Sequence, residues 1–228
     1  MYDFYIYYGL ALLAIAVSLG AQIFISVAYA KYSKVQNSRR ITGADAARLM
    51  LQRNNINGVQ ITRVAGNLTD HYDPSKKVVR LSEGIFSSTS VAAAAVACHE
   101  CGHVLQDFRG YAFMRFRTAL APITNIASRA GYIAILIGLI MSSQKLIYVG
   151  IIAELVILLF QLVTLPVEIN ASRRAMNEIR QNGILTEYEY PQAKTVLIAA
   201  AMTYVAGVVT VLIQVLRLVL IFGGRRRR

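Results

Sequence analysis

Four long apolar stretches constrain this chain of 228 residues more than any other feature. They cover residues 4–30, about 123–141, 146–166 and 195–222. At a rise of about 1.5 Å per residue, a helix over each stretch is long enough to cross a hydrocarbon core about 30 Å thick. The sequence therefore predicts a mainly α-helical, multi-pass membrane protein with about four transmembrane helices.

The apolar stretches divide the chain into five predicted segments. We interpret residues 1–30 as a membrane anchor, because Met1-Tyr2-Asp3 lacks the positive charge of a signal peptide, although Ala28-Tyr29-Ala30 resembles a cleavage site. The other segments are a polar region at 31–122, a transmembrane hairpin at 123–166, a cytoplasmic segment at 167–194, and a last transmembrane helix with a basic tail at 195–228.

The distribution of basic residues predicts the orientation in the membrane. The chain has 24 Lys and Arg against 12 Asp and Glu. Eleven basic side chains near the span ends share one side if the amino terminus is outside: Lys31, Lys34, Arg39, Arg40, Arg115, Arg117, Arg129, Arg173, Arg174, Arg180 and Lys194. That side is expected to be the cytoplasm, facing the anionic lipid of the plasma membrane. Only the tail Arg225–Arg228 disagrees, so either the tail breaks the rule or the last helix, which carries Gln214 and Arg217, does not cross in the simple way. No nucleic-acid-binding motif accompanies the charge, so nucleic acid is not an expected partner.

The polar region is predicted to contain two helices and a small antiparallel sheet. Thr42-Gly43-Ala44-Asp45 resembles a capping box that opens a helix to about Asn54. Strand-like runs follow at 59–64, 68–72 and 77–82, separated by turn residues, and by analogy with other folds the last run is a candidate edge strand for pairing with an extended substrate. The serines and threonine at 87–90 are suited to cap a second helix over 91–106.

The second helix carries the pattern His99-Glu100-Cys101-Gly102-His103, an H-E-x-x-H motif. Residues four apart project from one face of a helix, so the two imidazoles are able to hold one Zn²⁺. Glu100 lies beside them, where a carboxylate serves as the general base for a zinc-activated water. The chain has only three histidines, and two of them fall in this motif.

A third protein ligand is needed, and it is predicted to be Glu168. Gln106 and Arg109 exclude a three-histidine extension of the same helix. Asp107 lies only one turn past His103, and Glu154 lies inside the third span. Glu168 follows two spans that return the chain to the side of the motif. Pro166 precedes it, so we expect Glu168 in the first turn of a new cytoplasmic helix.

Two further features have weaker functional interpretations. Cys98 and Cys101 form a C-x-x-C pair that suits a redox or metal site, but small apolar packing residues are the favoured interpretation. His71 is a candidate for stabilising an oxyanion, while a hydrogen-bonded structural histidine is the preferred alternative.

Five separate stretches together resemble the YugP-like neutral zinc metallopeptidases of bacterial membranes, with a likeness that runs from about residue 1 to 222. The stretches are Asp70-His71-Tyr72-Asp73-Pro74, Val79-Arg80-Leu81-Ser82-Glu83-Gly84, Ala97-Cys98-His99-Glu100-Cys101-Gly102-His103, Thr124-Asn125-Ile126-Ala127-Ser128-Arg129, and residues 165–175 around Glu168. The resemblance implies a zinc-dependent membrane peptidase, more distantly similar to HtpX-like peptidases. It implies that His99, His103 and Glu168 are ligands and Glu100 the base. The distant relatives place an Asp where Ser172 stands here.

The predicted function is therefore that of a gluzincin-like, membrane-embedded zinc metalloendopeptidase. Its zincin-like H-E-x-x-H helix faces the cytoplasm, and its expected partners are a membrane-associated polypeptide substrate and the lipid bilayer. The alternative is a non-catalytic membrane scaffold with a structural metal site. Glu100 favours the peptidase, because a structural site has no use for an acid beside two ligands.

Overall fold

The computed structural model describes residues 2–223 of the chain. Seven helices and three strands follow one another within these residues: α1 (Tyr2–Tyr32), α2 (Gly43–Arg53), β1 (Gln60–Val64), β2 (His71–Asp73), β3 (Val78–Ser82), α3 (Glu83–Phe86), α4 (Val91–Phe108), α5 (Ala112–Ile140), α6 (Gln144–Gln181) and α7 (Tyr190–Gly223). The basic tail Arg225–Arg228, whose side of the membrane conflicts with the other charges, lies outside the described residues.

Four of these helices, α1, α5, α6 and α7, are long and apolar enough to cross a membrane. They match the four predicted spans, so the prediction of a mainly helical chain with four candidate transmembrane helices is confirmed. Large apolar side chains on these helices are exposed, for example Leu12 at 66% and Ile140 at 76%. Such exposure is unfavourable in water and is ordinary for surfaces in contact with lipid.

The chain forms two compact units. The first, called the membrane unit here, contains the segments up to Gln22, Ala112–Pro166 and from Thr203 onward. The second, called the polar unit, contains Ile23–Tyr111 and Val167–Met202. The sheet, the helices α2 to α4 and the second half of α6 all belong to the polar unit.

Local sequence signals account for α2 and α4. Thr42 and Asp45 form the reciprocal capping box at the start of α2, as predicted. The hydroxyl of Ser90 accepts a hydrogen bond from the amide of Ala93 at the start of α4. Helix α4 runs two residues beyond its predicted end. Helix α2 buries one face in the core of the polar unit, whereas α4 is buried on nearly all sides, and Met50 and Leu105 are almost fully buried.

The sheet is mixed, so the prediction of an antiparallel sheet is wrong. Its strand order is β1-β3-β2, with β2 antiparallel and β1 parallel to β3. Strands β1 and β2 do not pair with each other, because residues 65–70 carry the chain to the other side of β3. The carboxylate of Asp70 accepts a hydrogen bond from the amide of Ser82 at 2.7 Å, which fixes that connection. Strand β3 is therefore central rather than the predicted edge strand.

Helix α6 passes through Pro166 without a break, so the prediction of a new helix after this proline is also wrong. An internal proline costs a helix about 3 kcal/mol, because one hydrogen bond is lost and the ring crowds the preceding turn. Val167, Ala171, Ala175 and Ile179 repeat every four residues beyond it and are all fully buried. Full burial of a side chain such as Val or Ile contributes about 1.5–3 kcal/mol, which offsets the cost of the proline.

Candidate metal centre

Helix α4 places two imidazoles side by side within the polar unit. His99 and His103 are one helical turn apart, and their ring centroids lie 4.9 Å apart in an edge-to-face arrangement. The helix before them is a run of alanines, and Ala92, Ala93, Ala94 and Ala95 are completely buried. This part of α4 is packed on all sides, which holds the histidines on a rigid element.

Helix α6 brings the carboxylate of Glu168 to the two imidazoles. Its Oε2 atom lies 3.2 Å from Nε2 of His99 and 3.6 Å from Nε2 of His103. Candidate ligand atoms of the three residues all lie within 4.8 Å of one another. Glu168 is 1% exposed and His103 6%, so two of the three are removed from water. The structure thus brings together the three residues predicted as a ligand set.

The two spacings between the carboxylate oxygen and the imidazole nitrogens fit a tetrahedral zinc ion. Two ligands that each lie 2.0–2.2 Å from such an ion are about 3.3–3.6 Å apart. The two nitrogen-to-oxygen distances, 3.2 and 3.6 Å, agree with this separation within the tolerance of a metal site. Two imidazole nitrogens and one carboxylate are also the donor set of known catalytic zinc sites, which leave the fourth position open.

Each histidine has a second partner that orients its ring. Nδ1 of His99 lies 3.0 Å from the Ser172 hydroxyl, and Nδ1 of His103 lies 3.0 Å from Oε1 of Gln106. In the tautomer that carries the proton on Nδ1, each ring donates to this partner and turns an unprotonated Nε2 toward Glu168. The absence of an Asp at position 172 therefore leaves His99 with a hydroxyl partner, which accepts the same hydrogen bond.

Gln106 is a residue of this site that the sequence does not predict. It is completely buried, and its amide group donates to the carbonyl of Val167 at 2.7 Å and to Oδ1 of Asn170 at 3.1 Å. One side chain thus links His103 to the segment of α6 that carries Glu168. The only signal for Gln106 in the sequence is a polar residue on the histidine face of α4.

Gly102 allows α4 and α6 to approach closely at this site. A Cβ atom at this position would lie 2.5 Å from the carbonyl oxygen of Ala171, well inside ordinary van der Waals contact. Ala171 is one turn beyond Glu168, so the contact lies beside the third predicted ligand. The glycine in the H-E-x-x-H motif therefore has a packing role that depends on the neighbouring helix.

Glu100 is buried beside the two histidines. Glu100 is 8% exposed. Burial raises the pKa of its carboxyl group to about 7, and the negative charge of Glu168 acts in the same direction. A bound dication would act in the opposite direction and favour the carboxylate. A carboxyl group in such a position is suited to exchange protons near neutral pH.

The other candidate residues are not part of this cluster. Asp107 accepts hydrogen bonds from Tyr72 at 2.7 Å and from Lys77 at 2.5 Å. Glu154 belongs to the membrane unit, outside the polar unit that contains the cluster. His71 is exposed, and its ring nitrogens lie 2.8 Å from the Thr69 carbonyl and 3.3 Å from Arg80.

The two cysteines are completely buried free thiols. Burial raises the pKa of both thiols, which disfavours the thiolate needed for redox chemistry or metal binding. The Cys101 thiol points to the carbonyl of Ala47 on α2, at 3.7 Å. These surroundings suit the predicted role of the pair as small apolar packing residues.

Comparisons with known proteins place the chain in a family of zinc metallopeptidases. Residues 7–223 match a protein family described as "Putative neutral zinc metallopeptidase". The chain is 42% identical over 217 residues to the "Putative membrane protease YugP" of Bacillus subtilis (strain 168), an alignment that covers 95% of this chain and 96% of that protein. No solved structure matches the chain significantly.

Proposed function

Because the chain belongs to the neutral zinc metallopeptidase family, we propose that it is a membrane-embedded zinc endopeptidase with Glu100 as its general base. One observation carries the proposal. The carboxylate of Glu168 lies within 3.6 Å of both imidazoles of the H-E-x-x-H motif, at the spacing of a zinc site.

Each residue of the cluster has a separate role in this proposal. His99, His103 and Glu168 hold the metal, while Ser172 and Gln106 keep the two imidazole rings in the required tautomer. Zinc, when bound, supplies Lewis acidity that polarises the peptide carbonyl and makes water a nucleophile near neutral pH. Glu100 accepts the proton of the attacking water and then donates it to the departing amine.

A metal-binding scaffold without catalysis is the second candidate function. A structural zinc site is normally closed by four protein ligands, whereas three protein ligands are grouped here among the described residues. The buried carboxyl of Glu100 beside this group also favours hydrolysis, since burying it has a cost that a structural site would not require.

The proposed substrate is a membrane-associated or cytoplasm-exposed polypeptide segment. The similar Bacillus protein is named as a membrane protease, and this chain has four helices suited to span a membrane. We place the protein in the plasma membrane with its metal site on the cytoplasmic side. This placement depends on the eleven basic residues near the span ends.

The test compares purified wild-type protein with Glu100→Gln in a casein digestion assay, with zinc content measured on the same samples. The variant is expected to bind one zinc per chain and to lose at least about a hundredfold in hydrolysis, because the general base is removed while the ligands remain. Glu83→Gln, at an exposed acid of the same unit, is the control and is expected to keep full activity. Full activity in Glu100→Gln would refute the mechanism.

A further inference from the structure

An arginine that forms no ion pair with any described carboxylate lies in the membrane unit. Arg217 is in α7, six residues before Gly223, which is about 9 Å along a helix. Its Nε atom is buried without a hydrogen-bond partner in the part of the chain that the structure describes, and no ion pair joins Arg217 to a described carboxylate. A guanidinium group within an apolar span is costly, and such groups normally face a compensating anion or reach the membrane surface.

Arg217 lines a cavity of about 370 Å³ between α1 and α7. Two hydrogen bonds fix the register of these helices in the membrane unit. The Tyr7 hydroxyl donates to the Leu220 carbonyl at 3.2 Å, and the hydroxyls of Ser18 and Thr210 lie 2.9 Å apart. The start of α1 therefore lies beside the end of α7, so the two helices are antiparallel. The cavity lies between the two hydrogen bonds.

The cavity exists because small residues face long polar ones. In this register Ala11 and Ala14 of α1 lie opposite Arg217 and Gln214 of α7, and all four residues line the cavity. Two methyl groups leave unfilled the space that larger apolar residues would occupy. The volume is at the lower end of the range for small-molecule sites and is sufficient for a phosphate with its glycerol.

The chemistry of the lining selects for an anion. Arg217 contributes a positive charge, Gln214 an amide and Ser18 a hydroxyl, while no Asp or Glu is among the described residues around the cavity. A guanidinium group binds phosphate through charge-assisted hydrogen bonds. A lipid headgroup that carries an ammonium group would have no carboxylate among the described lining residues to pair with.

The surroundings of the cavity favour a lipid over a free ion. Leu12 and Leu19 of α1 are 66% and 56% exposed, and Leu216 of α7 is 49% exposed. These side chains offer an apolar surface to an acyl chain beside the polar cavity. The distance of Arg217 from the end of α7 also places its guanidinium group within reach of the headgroup layer.

We propose that this cavity binds the phosphodiester of an anionic phospholipid of the phosphatidylglycerol type, with Arg217 as the anchoring charge. The lipid's acyl chains would lie along the exposed leucines of α1 and α7. Binding of this lipid would join the two helices on the side where the alanines leave them apart. The inference does not depend on the proposed peptidase activity.

The test is native mass spectrometry of the full-length protein in detergent with palmitoyl-oleoyl phosphatidylglycerol or the matching phosphatidylcholine. Wild-type protein is expected to retain one phosphatidylglycerol with an affinity about tenfold above that for phosphatidylcholine. Arg217→Gln should lose this preference, while Arg217→Lys should keep part of it. Ala14→Leu keeps the charge but fills the cavity, and it should also lose the lipid.

Arg129→Gln is the matched control, because Arg129 is an exposed arginine of the same unit. It should bind phosphatidylglycerol as the wild type does, and inorganic phosphate should not displace the lipid. Equal retention of phosphatidylglycerol by wild type and Arg217→Gln would overturn the proposal. A lipid-independent dimer that is lost in Arg217→Gln would also overturn it, since a second copy of the chain would then be the occupant.

Discussion

Replacing Gly102 by alanine should weaken zinc binding although it touches no ligand. The added Cβ atom would lie 2.5 Å from the Ala171 carbonyl oxygen and 3.0 and 3.1 Å from two further backbone atoms, whereas ordinary contact begins at 3.4 Å. The two helices would have to separate by about 0.9 Å at this contact, the difference between 3.4 and 2.5 Å. Backbone atoms are the obstacle, so no side-chain rotation relieves it.

The separation acts directly on the proposed ligand set. His103 adjoins Gly102 on α4, and Glu168 is one turn from Ala171 on α6, so their 3.6 Å distance would lengthen. Zinc sites tolerate deviations of only about 0.2 Å in their bonds. Overpacking of this kind costs about 1–3 kcal/mol, which, if it falls on the metal site, corresponds to a loss of about five- to a hundred-and-fortyfold in zinc affinity.

The measurement is a competitive zinc titration against a chromogenic chelator in detergent. Gly84→Ala is the control, because the Cβ atom added there would have the Tyr29 hydroxyl as its nearest neighbour, at an ordinary contact distance of 3.7 Å. Alanine is intrinsically the better helix former, so propensity alone would stabilise α4 in the Gly102 variant. Wild-type zinc affinity in a folded Gly102→Ala protein would refute the reasoning from helix approach.

Two further predictions test the ligand set and the orientation. Glu168→Ala should lower zinc affinity by at least about a hundredfold, because two imidazoles alone hold zinc weakly. Asp107→Ala and Glu154→Ala should keep one zinc per chain. One full equivalent of zinc in Glu168→Ala would show that Glu168 is not a ligand. The orientation test uses a chain without native thiols and an impermeant maleimide added outside intact cells. Gln144→Cys should be labelled and Ser38→Cys should not, because Gln144 is expected outside and Ser38 in the cytoplasm. The reverse labelling pattern would show the opposite topology.

Local signals were sufficient for the elements that carry the site. The capping box at Thr42 and the H-E-x-x-H spacing involve residues within one or two helical turns, so the sequence shows them directly. The apolar length of the spans is equally local. The number of membrane crossings between His103 and Glu168 predicts the third ligand without any side-chain detail.

Features that depend on packing between distant segments could not be predicted in the same way. Turn residues around Gly66 indicate where β1 ends. They do not indicate on which edge of β3 the strands β1 and β2 will lie. Pro166 is a local signal for a helix end, yet burial of the following turns of α6 outweighs it. The partners of the two histidines, Ser172 and Gln106, become evident only once α4 and α6 are in contact.

The most direct test of the account is zinc X-ray absorption spectroscopy on the wild-type protein loaded with one equivalent of zinc. Ligation by His99, His103 and Glu168 predicts four nitrogen or oxygen neighbours at about 2.0–2.2 Å, with the multiple-scattering signature of two imidazoles and one position filled by water. Glu168→Ala should alter this spectrum, and Cys98→Ala should not. A sulfur neighbour at about 2.3 Å would place the zinc on the C-x-x-C thiols and would contradict the proposed site.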